Sequence, residues 1–212
     1  MIQWLLDLFN KWFHKPKPKS DTPIDTDKEE LSITKDILPS YCYGSNTITN
    51  EGVVIHYFSA VNVDPNNRFD VTANRRLMLD LNRPFEEREW YRMPDYKPRL
   101  WASYHYIIPR EGSPIQLVPT DKRAYHAGKS EIAGRDNLNN WTIGISMLAT
   151  HTSGFTESQY EWGARLCHRH KIRQNKVWGH EHVSPGRKVD PGPEFDWDKF
   201  KRLIQSRYTG TI

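Results

Sequence analysis

The residues best suited to chemistry in this chain are histidines and one aspartate. His56 closes the apolar run VVIH, and the segment GHEHVSPGRKVDPGP (residues 179–193) carries His180, His182 and Asp190. Two imidazoles and one carboxylate can bind a divalent ion and leave a coordination position open for water, whereas a closed structural zinc site takes four protein ligands. Such an open site polarises a carbonyl and lowers the pKa of bound water toward about 7, the chemistry of metal-assisted hydrolysis. It needs no Ser or Cys nucleophile. The chain has nine histidines, and a lone His56 is more often a hydrogen-bonded core residue than a ligand. His180 and His182 form an HxH pair, and spacing does not decide which of them is the donor.

Pro191 disfavours the helical region for the residue before it. Lys188-Val189-Asp190 should therefore run extended, with Lys188 and Asp190 on one side. If Asp190 holds a metal, Lys188 lies beside whatever that metal binds.

These side chains need a scaffold. Val53–Phe58 reads as a buried strand with Val54, His56 and Phe58 on one face. A helix is expected over 72–81, strands over 103–109, 115–118 and 141–148, and a helix from a Thr156/Gln159 capping box to about Ile172. Asp196 can cap a last helix with the stripe Trp197, Phe200, Leu203 and Ile204. The sum is an α/β fold, a mixed central β-sheet flanked by helices, over residues 40–212.

Two segments precede it. Residues 1–15 carry Ile2, Leu5, Leu6, Phe9, Trp12 and Phe13 at helical spacing, a short amphipathic helix. It would pack on the domain or a partner, or lie on a membrane surface as a peripheral contact. The first residues lack a basic n-region, and Asp7 interrupts the apolar stretch, so no signal peptide is read. Synthesis in the cytoplasm is expected, with release as one route to the cell wall. Residues 16–39, opening PKPKSDTP, read as a flexible linker.

The 212 residues carry a net charge of +4 and no block of Lys and Arg, so no nucleic-acid partner is indicated. Cys42 and Cys167 imply no disulfide framework. A monomer is expected.

Five segments in one order, VVIHYFSA, ASYHYIIPREG, KRAYHAG, NNWTIGISM and GHEHVSPGRKVDPGPEFDW, resemble the zinc N-acetylmuramoyl-L-alanine amidases of the amidase family 2 type. That family includes wall-recycling enzymes, phage lysozyme-type amidases and peptidoglycan recognition proteins. The resemblance covers roughly residues 52–207. It implies a mixed-sheet amidase fold, Zn²⁺ as the cofactor, and His56, His180 and Asp190 as its ligands. It implies that Lys188 stabilises an oxyanion and that His182 is not a ligand. Recycling members carry a glutamate where this chain has Ser146. The phage branch lacks that acid and has a tyrosine, matched here by Tyr104, so Tyr104 and Lys188 form the expected catalytic pair. His126, Tyr57 and Arg135 are the expected substrate contacts. The implied reaction cleaves the amide between N-acetylmuramic acid and L-alanine of the stem peptide. A phage or prophage endolysin is the expected biological type; a cytosolic muropeptide-recycling enzyme and a binding-only module are the alternatives.

Overall fold

The computed structural model describes residues 32–90 and 99–209. Along the chain these form β1 (Thr34–Lys35), β2 (Tyr43–Thr47), β3 (Gly52–Phe58), α1 (Val71–Leu81), β4 (Tyr106–Ile108), β5 (Ile115–Gln116), β6 (Lys122–Ala124), β7 (Glu131–Ile132), β8 (Arg135–Asp136), β9 (Thr142–Leu148), α2 (Glu157–Arg169), β10 (Val177–Gly179), α3 (His180–Val183) and α4 (Trp197–Thr209). The main sheet has the order β1-β5-β4-β9-β3-β10. All its pairings are parallel except β4 with β5. Two small antiparallel pairs, β2–β6 and β7–β8, lie outside it. The expected mixed sheet flanked by helices is the observed architecture.

The central strands β3 and β9 read GVVIHYF and TIGISML, near-continuous apolar runs as expected for strands covered on both faces. Val53, Ile55, Ile143, Ile145 and Met147 pack with Tyr160, Leu166, Phe200 and Ile204 of α2 and α4 in one cluster. Gly163 lets the two helices close up, because a Cβ there would meet a Phe200 ring carbon at 2.9 Å. The opposite face lies under α1, whose Leu77 and Met78 are buried. Asp70 caps α1 by accepting from the Ala73 amide at 2.8 Å. The Thr156/Gln159 capping box forms at the start of α2.

Two expectations change. The strand expected over 103–109 is regular only at Tyr106–Ile108. Before it, Ser103 exchanges bonds with Tyr125 in a side-chain and backbone pairing, N to O at 3.1 Å and Oγ from N at 3.0 Å. The linker expected over 16–39 ends earlier, because Thr34 and Lys35 pair with Ile115 and Gln116, and Leu38 is buried. An apolar side chain at 38 and a free strand edge at β5 outweigh the polar composition around them. The amphipathic helix expected over 1–15, and residues 16–31, lie outside the described residues. Among the described residues no helix is long and apolar enough to cross a membrane. Both cysteines are free and buried.

Candidate active site

Parallel register builds the site. β10 runs beside β3 with Gly179 opposite Ile55, so His180, the next residue, arrives beside His56. The chain then turns through α3, and the Glu181 amide donates to the Asp190 carbonyl at 2.9 Å, bringing the far end of the segment back to its start. Asp190 Oδ2 consequently lies 2.9 Å from His56 Nδ1 and 3.2 Å from His180 Nδ1. The three donor atoms all fall within 4.8 Å of one another. His182 is not among them: its Nδ1 accepts from the Gly179 amide at 2.9 Å and its ring packs on Trp197.

The outward nitrogens of both imidazoles are committed elsewhere. His56 Nε2 meets His126 Nδ1 at 3.2 Å, and His180 Nε2 meets the Ala127 carbonyl at 3.0 Å. Since a carbonyl can only accept, His180 donates to it from Nε2. Metal-binding histidines are typically oriented in this way by a second hydrogen bond. The protonation states agree. Burial, then the neighbouring His180 charge, pull His56 down from 6.5 to about 4 against the pull of Asp190, so it is neutral near pH 7. Burial pushes the Asp190 carboxyl up, but bonds from His180 and His56 outweigh it and hold the group far below the usual carboxylate range. Two imidazoles, that of His56 neutral near pH 7, and one ionised carboxylate, brought together within 4.8 Å, suit a divalent zinc ion.

His126 is set by its backbone amide, which with that of Ala127 donates to Asn139 Oδ1 at 3.1 and 2.7 Å. Glycine is required opposite it, since a Cβ on Gly144 would sit 2.4 Å from His126 Cγ. Ser146 pairs in register with His56 on β9. It is buried, and among the described residues its hydroxyl has no hydrogen-bond partner. No carboxylate stands at that position.

Two of the three donors, His180 and Asp190, line a cleft of about 490 Å³, and His56 is fully buried behind them. Tyr57, Tyr104, His126, His180, Lys188 and Asp190 line it together. Tyr104 lies with its ring centroid 5.1 Å from that of His56. Burial, with lesser contributions from Asp190 and Tyr57, raises its phenol and keeps it protonated. Lys188, Val189 and Asp190 all line the same cleft, so the lining does not separate Val189 from its neighbours as strict alternation would.

Arg135 is placed elsewhere. On β8 it forms a bidentate pair with Glu51, 2.5 and 3.0 Å, and stacks over Trp141 at 4.2 Å. Arg135, expected as a substrate contact, is not among the residues that line the cleft. Arg187 takes a position that spacing did not suggest. Its Nη2 donates to the carbonyls of Ala127 and Lys129 at 2.6 and 2.7 Å, tying the loop that orients His180 to the segment that carries Asp190. Its adjacency to Lys188 was the available signal. Trp101 and Tyr125 also line the cleft, and no spacing rule pointed to Trp101.

Comparison with known proteins gives a consistent result. A family model described as N-acetylmuramoyl-L-alanine amidase matches residues 46–193, more than half of the chain. The 1,6-anhydro-N-acetylmuramyl-L-alanine amidase AmpD of Citrobacter freundii is 41% identical over 109 residues, which is 50% of this chain and 58% of that protein. The chain thus spans little more than half the length of this curated relative. The crystal structure of an AmpD derivative superposes with a TM-score of 0.60 at 30% identity, covering 81% of this chain and 94% of that one. A mutant endolysin from Bacillus subtilis shares the fold, with a TM-score of 0.51 at 19% identity over 82% of this chain and 99% of that one.

Proposed function

The chain belongs to the N-acetylmuramoyl-L-alanine amidase family, and from that premise we propose that it hydrolyses the amide joining the lactyl group of N-acetylmuramic acid to L-alanine of a stem peptide. The observation that carries this reading is the meeting of His56, His180 and Asp190 on the floor of a cleft that also receives Lys188 and Tyr104. His56, His180 and Asp190 would hold zinc, which when bound supplies Lewis acidity toward the carbonyl and a lowered pKa for water.

The chain's own groups divide the remaining work. His126 and the Ala127 carbonyl orient the two imidazoles. The Lys188 ammonium, flexible and exposed on the cleft wall, donates to the oxygen that becomes negative as the amide carbon turns tetrahedral. Tyr104, kept as a phenol by burial, is a hydrogen-bond donor and proton carrier toward the leaving amine rather than a base. Ser146 cannot take a proton near neutral pH as a carboxylate would.

The substrate we favour is a soluble 1,6-anhydro-muropeptide, the group named in the 41% identical relative, handled in the cytoplasm. This reverses the balance between the two biological types weighed from the sequence, because the similarity to the endolysin, at 19% identity, supports the fold alone. The test is mass spectrometry of products from anhydro-muropeptide and from intact sacculi, each with and without chelator. Free stem peptide from the soluble substrate, abolished by chelator, with sacculi left nearly intact, is expected. Efficient solubilisation of sacculi would point to an endolysin, and no amide cleavage of either substrate would end the hydrolase reading.

A further inference from the structure

Trp101 is an outlier twice over. It has φ +48°, in the left-handed region, and among the described residues it is the only aromatic residue with a positive φ. That region is a genuine anomaly for a bulky side chain. It is also 44% exposed, one of few large apolar side chains so placed. Backbone strain persists where the surrounding structure enforces it and collects at ligand-binding positions.

Its place in the fold shows what enforces it. The Ser103 amide donates to the Tyr125 carbonyl at 3.1 Å, and the Tyr125 amide returns to Ser103 Oγ at 3.0 Å. That lock holds the chain before Tyr104 against the chain before His126, so Trp101 and Tyr125 meet edge to face with centroids 5.3 Å apart. Arg99 stacks on Trp101 at 5.3 Å and Arg123 on Tyr125 at 5.4 Å, bracing both rings from outside. Both rings line the cleft that holds the metal-ligand group. The cleft is therefore two-sided. Leu77, Leu81, Leu100 and Ala102 join Trp101 and Tyr125 on an apolar and aromatic side, whereas His180, Arg187, Lys188 and Asp190 make the other side polar.

The proposed substrate is two-sided as well. Its acyl half carries a pyranose ring and its amine half a charged peptide. The negative face of an indole attracts the polarised C–H groups on one face of a pyranose, and stacking on a braced ring needs little ordering. We infer that Trp101, supported by Tyr125, is the platform that receives the sugar ring of the acyl half and so sets the direction in which the substrate lies across the cleft. This inference rests on the amidase reading of the same site.

The experiment compares an anhydro-muramyl tripeptide with the D-lactoyl tripeptide, which keeps the scissile amide and lacks the pyranose. Trp101→Ala should lower kcat/KM on the sugar substrate by about tenfold, mainly through KM, and leave the lactoyl peptide unchanged. Trp101→Phe should recover most of the loss. Trp101→Gly should behave as Trp101→Ala in the assay while its Tm is equal to or above that of the natural chain, since glycine relieves the positive φ. Equal losses on both substrates, or no loss on either, would overturn the inference. If the natural chain cleaves neither substrate, the amidase reading fails by itself. Calorimetric titration with N-acetylmuramic acid alone then decides the platform: binding lost in Trp101→Ala upholds it, and no binding, or binding unchanged by the substitution, rejects it.

Discussion

Alternate residues of β3 and β9 face two environments that obey different rules. Toward α2 and α4, Val53, Ile55, Ile143, Ile145 and Met147 meet only apolar side chains. Toward the cleft, His56 meets His126, Tyr104 and Asp190, Gly144 meets His126, and Ser146 stands beside His56 in register. The first face requires volume, and dispersion and water exclusion reward any side chain that fills it. The second is equally buried but polar, and each of its imidazoles has a named partner: His126 for His56, the Ala127 carbonyl for His180, and the Thr142 carbonyl, at 3.3 Å, for His126. One face therefore tolerates conservative exchange and sets stability. The other tolerates little and sets function.

The contrast breaks most visibly at the ligands. His56→Ala, His180→Ala or Asp190→Ala should each abolish zinc uptake and lower turnover by more than about a thousandfold, because the metal's several kcal/mol of transition-state stabilisation goes with it. Metal analysis and a product assay check both. Next in size, Lys188→Ala should keep the metal yet reduce kcat by about 10²–10³, the range for losing one oxyanion donor. Equal loss of metal would assign Lys188 a structural role. On the other face, Phe200→Ala should cost about 3–5 kcal/mol of stability. The folded fraction, followed by denaturant titration, should keep its zinc affinity.

The buried His105 and the half-buried His170 test pH. Burial lowers His105, on the cleft side, and His170, bonded to the Tyr106 hydroxyl at 2.9 Å, from 6.5 to about 4. Between those values the unfolded chain binds protons that the native state refuses, so stability is complete above about pH 6.5 and falls as pH drops toward 4. Denaturation midpoints across that window should show the decline, and His170→Gln should make it shallower. The smallest effect is expected at Ser146, where Ser146→Ala removes a hydroxyl that has no hydrogen-bond partner among the described residues and should change stability by less than about 1 kcal/mol. A strong loss of turnover in that variant would instead give the hydroxyl a role in the site.

Much of this was legible along the chain. Strand periodicity put Val54, His56 and Phe58 on one face, and the Thr156/Gln159 capping box marked the start of α2. Five ordered motifs supplied the ligand set that spacing alone left open between His180 and His182. Other features were not readable because they depend on partners distant in sequence. His182 is kept from the site by the Gly179 amide, Arg135 is occupied by Glu51, and Leu38 is drawn from the supposed linker into the core.

Local propensity, period and turn chemistry act over a few residues, so sequence by itself determined the elements and which side chains share a face. His56 and Asp190 stand 134 positions apart, and only the parallel register of β10 on β3 brings His180 beside His56, with the returning segment closing Asp190 onto both. Tertiary structure likewise decided that Trp101 is held upright at the cleft and that Arg187 braces its floor. Those outcomes are set by hydrogen bonds and packing between remote segments, and no local pattern encodes them.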